Sequence, residues 1–213
     1  MGATSNYALQ LEQWRARFLG MDAAEICRRL PEIERADGAL KLRHFGRRFR
    51  IELSDGRIRA DADAEPVDMT PQLNIYTLLW YAKPGARLTG DWQPFKRLRG
   101  ASPFERAFQA GTLEPLAQMF SGREGALEAA VAKLRGQRIS ESGFALRAFE
   151  CIPVRLNFWD ADDEFPAQAN LLFDSSAPDF IHVESVVTIA AELLFQLSRA
   201  ANIPLPASAA FRI

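Results

Sequence analysis

The chain has 213 residues, of which 48% are hydrophobic, which is enough for one large domain or two small ones with a substantial core. Lys and Arg total 26 against 27 Asp and Glu, so no net charge draws the protein to nucleic acid or anionic lipid. Its two cysteines, Cys27 and Cys151, are too few for a disulfide framework or a four-cysteine metal site, which is typical of a reducing compartment.

Targeting and membrane signals are missing from the sequence. The first residues lack the basic stretch and apolar run of a secretory signal. The two most apolar stretches, at about 75–82 and 183–197, are broken by polar residues at helical intervals, so neither predicts a membrane span. We therefore expect a soluble, cytoplasmic protein.

The first third of the chain is predicted to contain two helices and then a β-meander. Large apolar residues recur at helical spacing over residues 7–18, and Asp22-Ala-Ala-Glu25 has the form of a capping box. Apolar and charged residues then alternate over 49–53, and Asp55-Gly56 suits a tight hairpin. These patterns predict antiparallel strands at about 40–60.

The middle third is predicted to be helical. Thr70-Pro71 opens one helix, which stops at Pro84-Gly85, and Ser102-Pro103 opens another. Between them, residues 90–95 are predicted to form an aromatic-rich loop that contains Asp91 and Trp92. Its rings suit either anchors on the core or the mouth of a pocket.

The last third returns to strands and ends in a helix. Val154, Leu156 and Phe158 alternate with polar residues, and a second strand covers 169–173, so the pattern predicts antiparallel strands at about 144–173. A final helix is expected to begin at 174–178. Its predicted solvated face carries Glu184, Thr188, Glu192 and Gln196.

The order of these elements is helices, strands, helices, strands, helix. It lacks the strict strand–helix alternation of a doubly wound parallel sheet, so the fold class is predicted to be α+β. No linker rich in Pro, Gly or Ser divides the chain. We expect a single domain over 1–213, with 136–143 as the best place for an internal boundary.

The standard catalytic motifs are absent from the sequence. We find no phosphate loop, dinucleotide-binding turn, zinc-protease motif or nucleophile elbow. With only His44 and His182, the chain cannot build a multi-histidine metal site. A Cys151–His182 nucleophile pair is a weaker hypothesis, because nothing in the sequence brings the two together.

The most acidic segment of the chain lies between the two predicted late strands. Its carboxylates are Asp160, Asp162, Asp163 and Glu164. They are candidate ligands for Mg²⁺ or Ca²⁺, or a mutually repelling group that performs acid–base chemistry. The alternative is a solvated turn whose carboxylates cap backbone N–H groups.

A basic face is expected on the first meander. If its strands pair as predicted, one face carries Lys41, Arg43, Arg48, Arg50, Arg57 and Arg59. Such a face suits phosphates or an acidic partner, or is simply a solvated surface. Few aromatic side chains lie among these residues for base stacking, which argues against nucleic acid as the partner.

Several segments together resemble one known family. They are Leu78-Leu79-Trp80-Tyr81, Leu88-Thr89-Gly90-Asp91-Trp92, Pro115-Leu116-Ala117, the run from Trp159 to Pro166, and Leu172-Phe173-Asp174. This set is similar to the bacterial and archaeal family called domain of unknown function 3786, over about residues 7–197. The family has no established activity, so the resemblance implies no catalytic residue and no cofactor. Some members carry a cysteine-rich iron–sulfur module, and two cysteines cannot ligate a four-iron cluster in the usual way.

Three functional hypotheses follow. The first is a binding module for a small ligand or a protein partner, with Asp91, Trp92, Trp159, Asp160, Asp163 and Glu164 around one pocket. The second is an enzyme that uses the acidic segment, with Asp160, Asp162, Asp163 and Glu164 as metal ligands or as acids and bases. The third is an oligomerising structural protein, for which a broad exposed apolar patch would be the sign.

Overall fold

Two antiparallel sheets and a set of helices build the protein, and the computed structural model describes residues 6–61 and 66–209 of it. The helices are α1 (Asn6–Leu19), α2 (Ala23–Arg29), α3 (Met69–Tyr81), α4 (Glu105–Phe108), α5 (Glu114–Phe120), α6 (Glu124–Lys133), α7 (Ala177–Phe180) and α8 (Val183–Ala201). The strands are β1 (Glu34–Ala36), β2 (Ala39–His44), β3 (Arg47–Glu52), β4 (Ile58–Ala60), β5 (Trp92–Pro94), β6 (Gln137–Arg138), β7 (Gly143–Phe149), β8 (Ile152–Trp159) and β9 (Gln168–Asp174).

The first sheet has the strand order β1-β2-β3-β4. Its last three strands confirm the predicted meander, and β1 is an addition that the sequence did not reveal. Asp37 and Gly38 join β1 to β2 with φ of 52° and 73°, the left-handed values that a two-residue hairpin turn needs. Strand alternation turns residues such as Leu40, Phe49 and Ile51 into the core.

The second sheet has the order β5-β9-β8-β7-β6. As the sequence predicts, Val154, Leu156 and Phe158 are buried in the core, while the residues between them face the other way. The two β segments therefore form two sheets, and these meet where the Phe45 N–H donates to the Ala148 carbonyl at 3.1 Å.

The predicted last helix differs from the structure in two ways. A short α7 comes first, the chain extends at Ile181, and His182 caps the start of α8 by accepting from the Glu184 N–H at 3.3 Å. The prediction that Glu192 and Gln196 are solvated is wrong, because both are buried. Gln196 Nε2 donates to Glu192 Oε1 at 2.6 Å, so the two polar side chains satisfy each other inside the protein.

The segment predicted as a loop at Asp91 and Trp92 also differs. Trp92–Pro94 forms the edge strand β5, because it pairs in antiparallel register with the C-terminal half of β9. A three-residue strand that depends on a partner 80 positions away along the chain has no local signature.

The α+β prediction is confirmed, with one continuous core between the two sheets and the helices. The segment proposed for an internal boundary, 136–143, contains β6, which pairs with β7 in the second sheet. None of the helices that the structure describes is both long and apolar enough to cross a bilayer.

Candidate functional site

A deep depression opens at the edge of the second sheet. Strand β5 pairs only with Leu172–Asp174 of β9, so within the described residues the N-terminal half of β9 has a strand on one side alone. A groove of about 890 Å³ lies beside this free edge. We call it the edge groove and define it by Phe95, Phe108, Gln118, Trp159, Gln168 and Asn170, all of which line it.

The base of the edge groove is aromatic. Phe95 and Phe108 are buried, and their rings stack with centroids 4.1 Å apart and planes 8° from parallel. Phe108 ends α4, and the chain then continues as a π-helix at Gln109–Leu113 before α5 begins. Such wide turns are frequent at functional sites.

Carboxamide side chains surround this aromatic base. Gln109 and Gln118 come from the helical side, and Gln168 and Asn170 from β9. Each carboxamide offers both donors and an acceptor. The groove can therefore bind a ligand that pairs an apolar or ring portion with amide- or hydroxyl-type groups.

Trp159 and the acidic loop, residues 160–166, border the groove on a third side. The Trp159 side chain is 47% exposed and lines the groove together with Pro166. Asp160 Oδ1 accepts from the Gly122 N–H at 2.7 Å, which ties the acidic loop to the turn between α5 and α6. The sequence thus predicted one wall of the groove, through Trp159.

The four carboxylates of the acidic loop do not converge. Asp162 Oδ1 accepts from the N–H groups of Glu164 at 2.9 Å and Phe165 at 2.7 Å, and these hydrogen bonds lower the pKa of Asp162. Asp163 and Glu164 are exposed. In the described ranges, no group of three or more His, Cys, Asp or Glu side chains is placed to hold a metal ion.

Asp91 and Trp92 lie away from the edge groove. Trp92 is opposite Asp174 at one end of β9, whereas Trp159 is opposite Gln168 at the other end. Six residues of strand separate these positions, about 20 Å at 3.4 Å per residue. The structure therefore does not place the two tryptophans around one pocket, and the exposed Asp91 carboxylate accepts from Gln93 Nε2 at 2.8 Å.

Asp174 fastens β5 to β9, a role that the sequence reasoning missed. Its buried carboxylate accepts from the Thr89 N–H at 3.0 Å, the Gly90 N–H at 2.7 Å and the Ser176 N–H at 3.0 Å, and from the hydroxyls of Thr89 and Ser176. Burial alone would raise the pKa, but hydrogen bonds from Ser176 and Thr89 outweigh it and lower the pKa of Asp174 to about 2. The signal was present, because Thr89-Gly90 and Asp174 both belong to segments that carry the family resemblance.

The groups with the most strongly shifted pKa lie outside the edge groove. His44 is buried, with Nδ1 2.8 Å from the Ala148 carbonyl and Nε2 3.3 Å from Asn74 Nδ2, and burial lowers its pKa to about 4. Burial raises the pKa of Glu192 to about 7 and raises that of Cys151. His182 contacts Tyr81 at the start of α8, whereas Cys151 lies near Glu32, so the structure does not form the Cys151–His182 pair.

The basic face of the first sheet forms as predicted, and nearby carboxylates neutralise half of its six cations. Cross-strand pairing places Lys41 beside Arg50 and Arg43 beside Arg48. Carboxylates neutralise three of the six cations, in the pairs Lys41–Asp37 at 2.6 Å, Arg50–Glu52 at 2.8 Å and Arg57–Asp55 at 3.5 Å. The charge that this face offers to a partner is therefore reduced, and what remains is carried by Arg43, Arg48 and Arg59.

Comparison with known proteins adds the family and nothing beyond it. No curated protein and no solved structure matches the chain. The model of the family described as "Domain of unknown function (DUF3786)" matches residues 22–196, a span that contains the edge groove and the Asp174 contacts. The chain therefore belongs to the DUF3786 family.

Proposed function

We propose that the protein is a binding module for a small organic ligand and that the edge groove is its site. The observation that carries the proposal is the groove itself, a concavity of about 890 Å³ with a stacked aromatic base and carboxamides around it. Pockets that bind cofactors and metabolites usually measure roughly 300–1,000 Å³ and combine an apolar lining with a few placed polar groups.

The free edge of β9 adds backbone groups to this lining. The Ser175 N–H donates to the Asp91 carbonyl at 2.8 Å, which fixes which residues of β9 face the β5 side. Along an antiparallel strand, every second residue turns its backbone N–H and C=O toward the same neighbouring strand. Ala169 is an even number of residues from Ser175, so its N–H and C=O point toward the β5 side. Because β5 pairs only as far as Leu172, no strand of the described ranges covers them there. Half-buried Ala169 lines the groove, so its backbone is available to an amide-like group of the ligand.

The charged groups favour binding over catalysis. The groups with the most strongly shifted pKa, His44, Cys151 and Glu192, do not line the edge groove, and within the described residues its charged side chains are Lys96, Glu105 and Glu114. Catalytic acids, bases and nucleophiles typically have such shifted values. The rival hypothesis of an enzyme at the acidic loop gains no support from carboxylates that point apart and cap backbone N–H groups.

A thermal-shift screen of metabolites tests the proposal, since a ligand that binds only the native state raises the melting temperature. Gln118→Trp places a bulky ring at an exposed groove position and is expected to abolish the shift produced by a hit. Gln13→Trp, at an exposed position of α1, is the matched control.

The second arm removes the aromatic wall. Trp159→Ala is expected to weaken binding of the ligand found in the screen. Trp80→Ala should not, because Trp80 is similarly exposed at 44% and lies outside the groove. If a hit raises the melting temperature of all four variants as much as that of the unmodified protein, the edge groove is not its binding site.

A further inference from the structure

A second concave surface covers the open face of the second sheet. It measures about 660 Å³ and is lined by residues of β5 to β9 and by Arg135, which follows α6. We call it the basic hollow and define it by Trp92, Arg135, Gln137, Arg147, Arg155 and Asn157. It differs from the edge groove, which opens at the side of the same sheet and has a different lining.

The lining of the basic hollow carries a net positive charge. It contains three arginines, and none of its described residues is an Asp or a Glu. Arg147 has a partner, since its Nη1 lies 3.5 Å from Glu150 Oε2. Neither Arg135 nor Arg155 forms an ion pair with the carboxylates of the described ranges.

The strand register brings Arg147 and Arg155 toward one another, whereas Arg135 reaches the hollow from the turn after α6. Arg147 is opposite Pro153, so Arg155 is its diagonal neighbour on the same face, a separation of roughly 7–8 Å between Cα atoms that two long side chains can bridge. The Arg155 guanidinium lies 4.0 Å from the centre of the Trp92 ring, a cation–π contact between two residues that line the hollow. A carboxamide, Asn157, is two residues farther along β8.

We propose that the basic hollow binds a small molecule through a phosphate group. Two guanidiniums without carboxylate partners match the roughly −1.5 to −2 charge of a phosphate monoester at neutral pH. The guanidinium fork also fits two phosphate oxygens at once. The concavity suits a small molecule, and the exposed carboxylates of Asp163 and Glu164 beyond the Trp159 end of the face would repel a longer polyanion.

The test follows the indole N–H signals of the four tryptophans by NMR, with the Trp92 signal identified by its loss in Trp92→Phe. Inorganic phosphate and phenyl phosphate are titrated at ionic strength matched with sodium chloride, because added salt alone screens charges. We expect a saturable shift of the Trp92 signal with both probes and no comparable shift of the Trp159 signal.

Matched variants assign the shift to the hollow. Arg155→Gln is expected to weaken the affinity for both probes about tenfold or more, which is the effect of losing a charge-assisted hydrogen-bond pair. Arg59→Gln, which removes an exposed arginine from the first sheet, should leave the affinity unchanged. Gln118→Trp should also leave it unchanged, which separates this site from the edge groove.

Three outcomes would overturn the proposal. The first is a Trp92 signal that does not move or moves equally with sodium chloride. The second is an equal loss of affinity in Arg155→Gln and Arg59→Gln. The third is a response to an oligothymidylate but to neither small phosphate, which would make the face a platform for single-stranded nucleic acid.

Discussion

The first sheet and the basic hollow differ in how often a carboxylate accompanies a cation: three of the six cations on the first sheet have one within ion-pair distance, against one of the three arginines that line the hollow. On the first sheet, Asp37, Glu52 and Asp55 lie within ion-pair distance of Lys41, Arg50 and Arg57. On the second, Arg135 and Arg155 line a concavity without a carboxylate among its described residues. A count of arginines along a strand therefore says little about binding, because the positions of the carboxylates decide whether charge is left for a partner.

The two sheets also differ in how their edges are completed. The first sheet is a meander of strands close in sequence, whereas β5 of the second joins β9 from 80 positions away. That distant pairing leaves half of β9 free and so creates the edge groove.

The largest effect is expected at the carboxylate that holds β5 in place. Asp174→Asn keeps the shape but removes the charge and turns an amino group toward backbone N–H donors. We expect it to lower the free energy of unfolding by about 3 to 4 kcal/mol, since several charge-assisted hydrogen bonds weaken together. Urea unfolding measures the change.

The control for that change is Asp163→Asn, at an exposed position of the acidic loop, which should have little effect. Because hydrogen bonds depress the pKa of Asp174 to about 2, the stability it provides is present above pH 3.8 and is lost as the pH falls toward 2. An Asp174→Asn protein as stable as Asp163→Asn would mean that β5 is held by other contacts.

Two buried groups, His44 at the junction of the sheets and Glu192 in α8, should make the free energy of unfolding depend on pH in opposite directions. His44 has a folded pKa of about 4 against an ordinary 6.5, so the unfolded state binds more protons and stability falls as the pH drops from 6.5 to 4. Glu192 has a folded pKa of about 7 against an ordinary 4.5, so stability rises as the pH drops from 7 to 4.5. Each contributes up to about 3 kcal/mol, and the two oppose each other between pH 6.5 and 4.5.

Glu192→Gln should therefore expose the His44 contribution. The variant keeps an acceptor for Gln196, but its stability should fall by about 2 to 3 kcal/mol between pH 6.5 and 4.5, while the unmodified protein changes little. Urea unfolding across this range is the measurement. Parallel pH profiles of the two proteins would show that Glu192 is already ionised when folded.

The smallest effect is expected on the first sheet, where removing carboxylates should leave its cations without partners, like those of the basic hollow. Asp37→Asn, Glu52→Gln and Asp55→Asn together remove the carboxylates that neutralise the basic face. The triple variant should fold normally, since such pairs contribute little, and should gain a weak, salt-sensitive response to inorganic phosphate in the amide signals of β2 and β3. Absence of any gain would show that the three pairs do not control the charge of this face.

Local patterns predicted the parts of the fold that depend on local sequence. The alternation of Val154, Leu156 and Phe158 located β8 and its inner face, and α1 followed from apolar residues at helical spacing. By contrast, Glu192 and Gln196 have the polarity of a solvated helix face but are buried and hydrogen-bonded to each other. Polarity along one helix cannot reveal how many sides of that helix are covered.

The sequence located those parts of the candidate site that lie on locally predictable elements. Trp159 ends a strand that the sequence located correctly, and it lines the edge groove. The position of Trp92 depends on the register between β5 and β9, which places it about 20 Å farther along β9. The uncompensated charge of Arg155 likewise depends on which carboxylates lie near it in space.

The most direct test of the account is to map small-molecule binding on the assigned amide spectrum, with a metabolite extract filtered to remove macromolecules. We expect shifts at Gln168–Asn170, Trp159 and Gln118, their loss in Gln118→Trp, and a first sheet that stays unperturbed. Shifts that cluster on β2 and β3, or shifts at Gln168–Asn170 that persist in Gln118→Trp, would contradict the claim that the edge groove is the binding site.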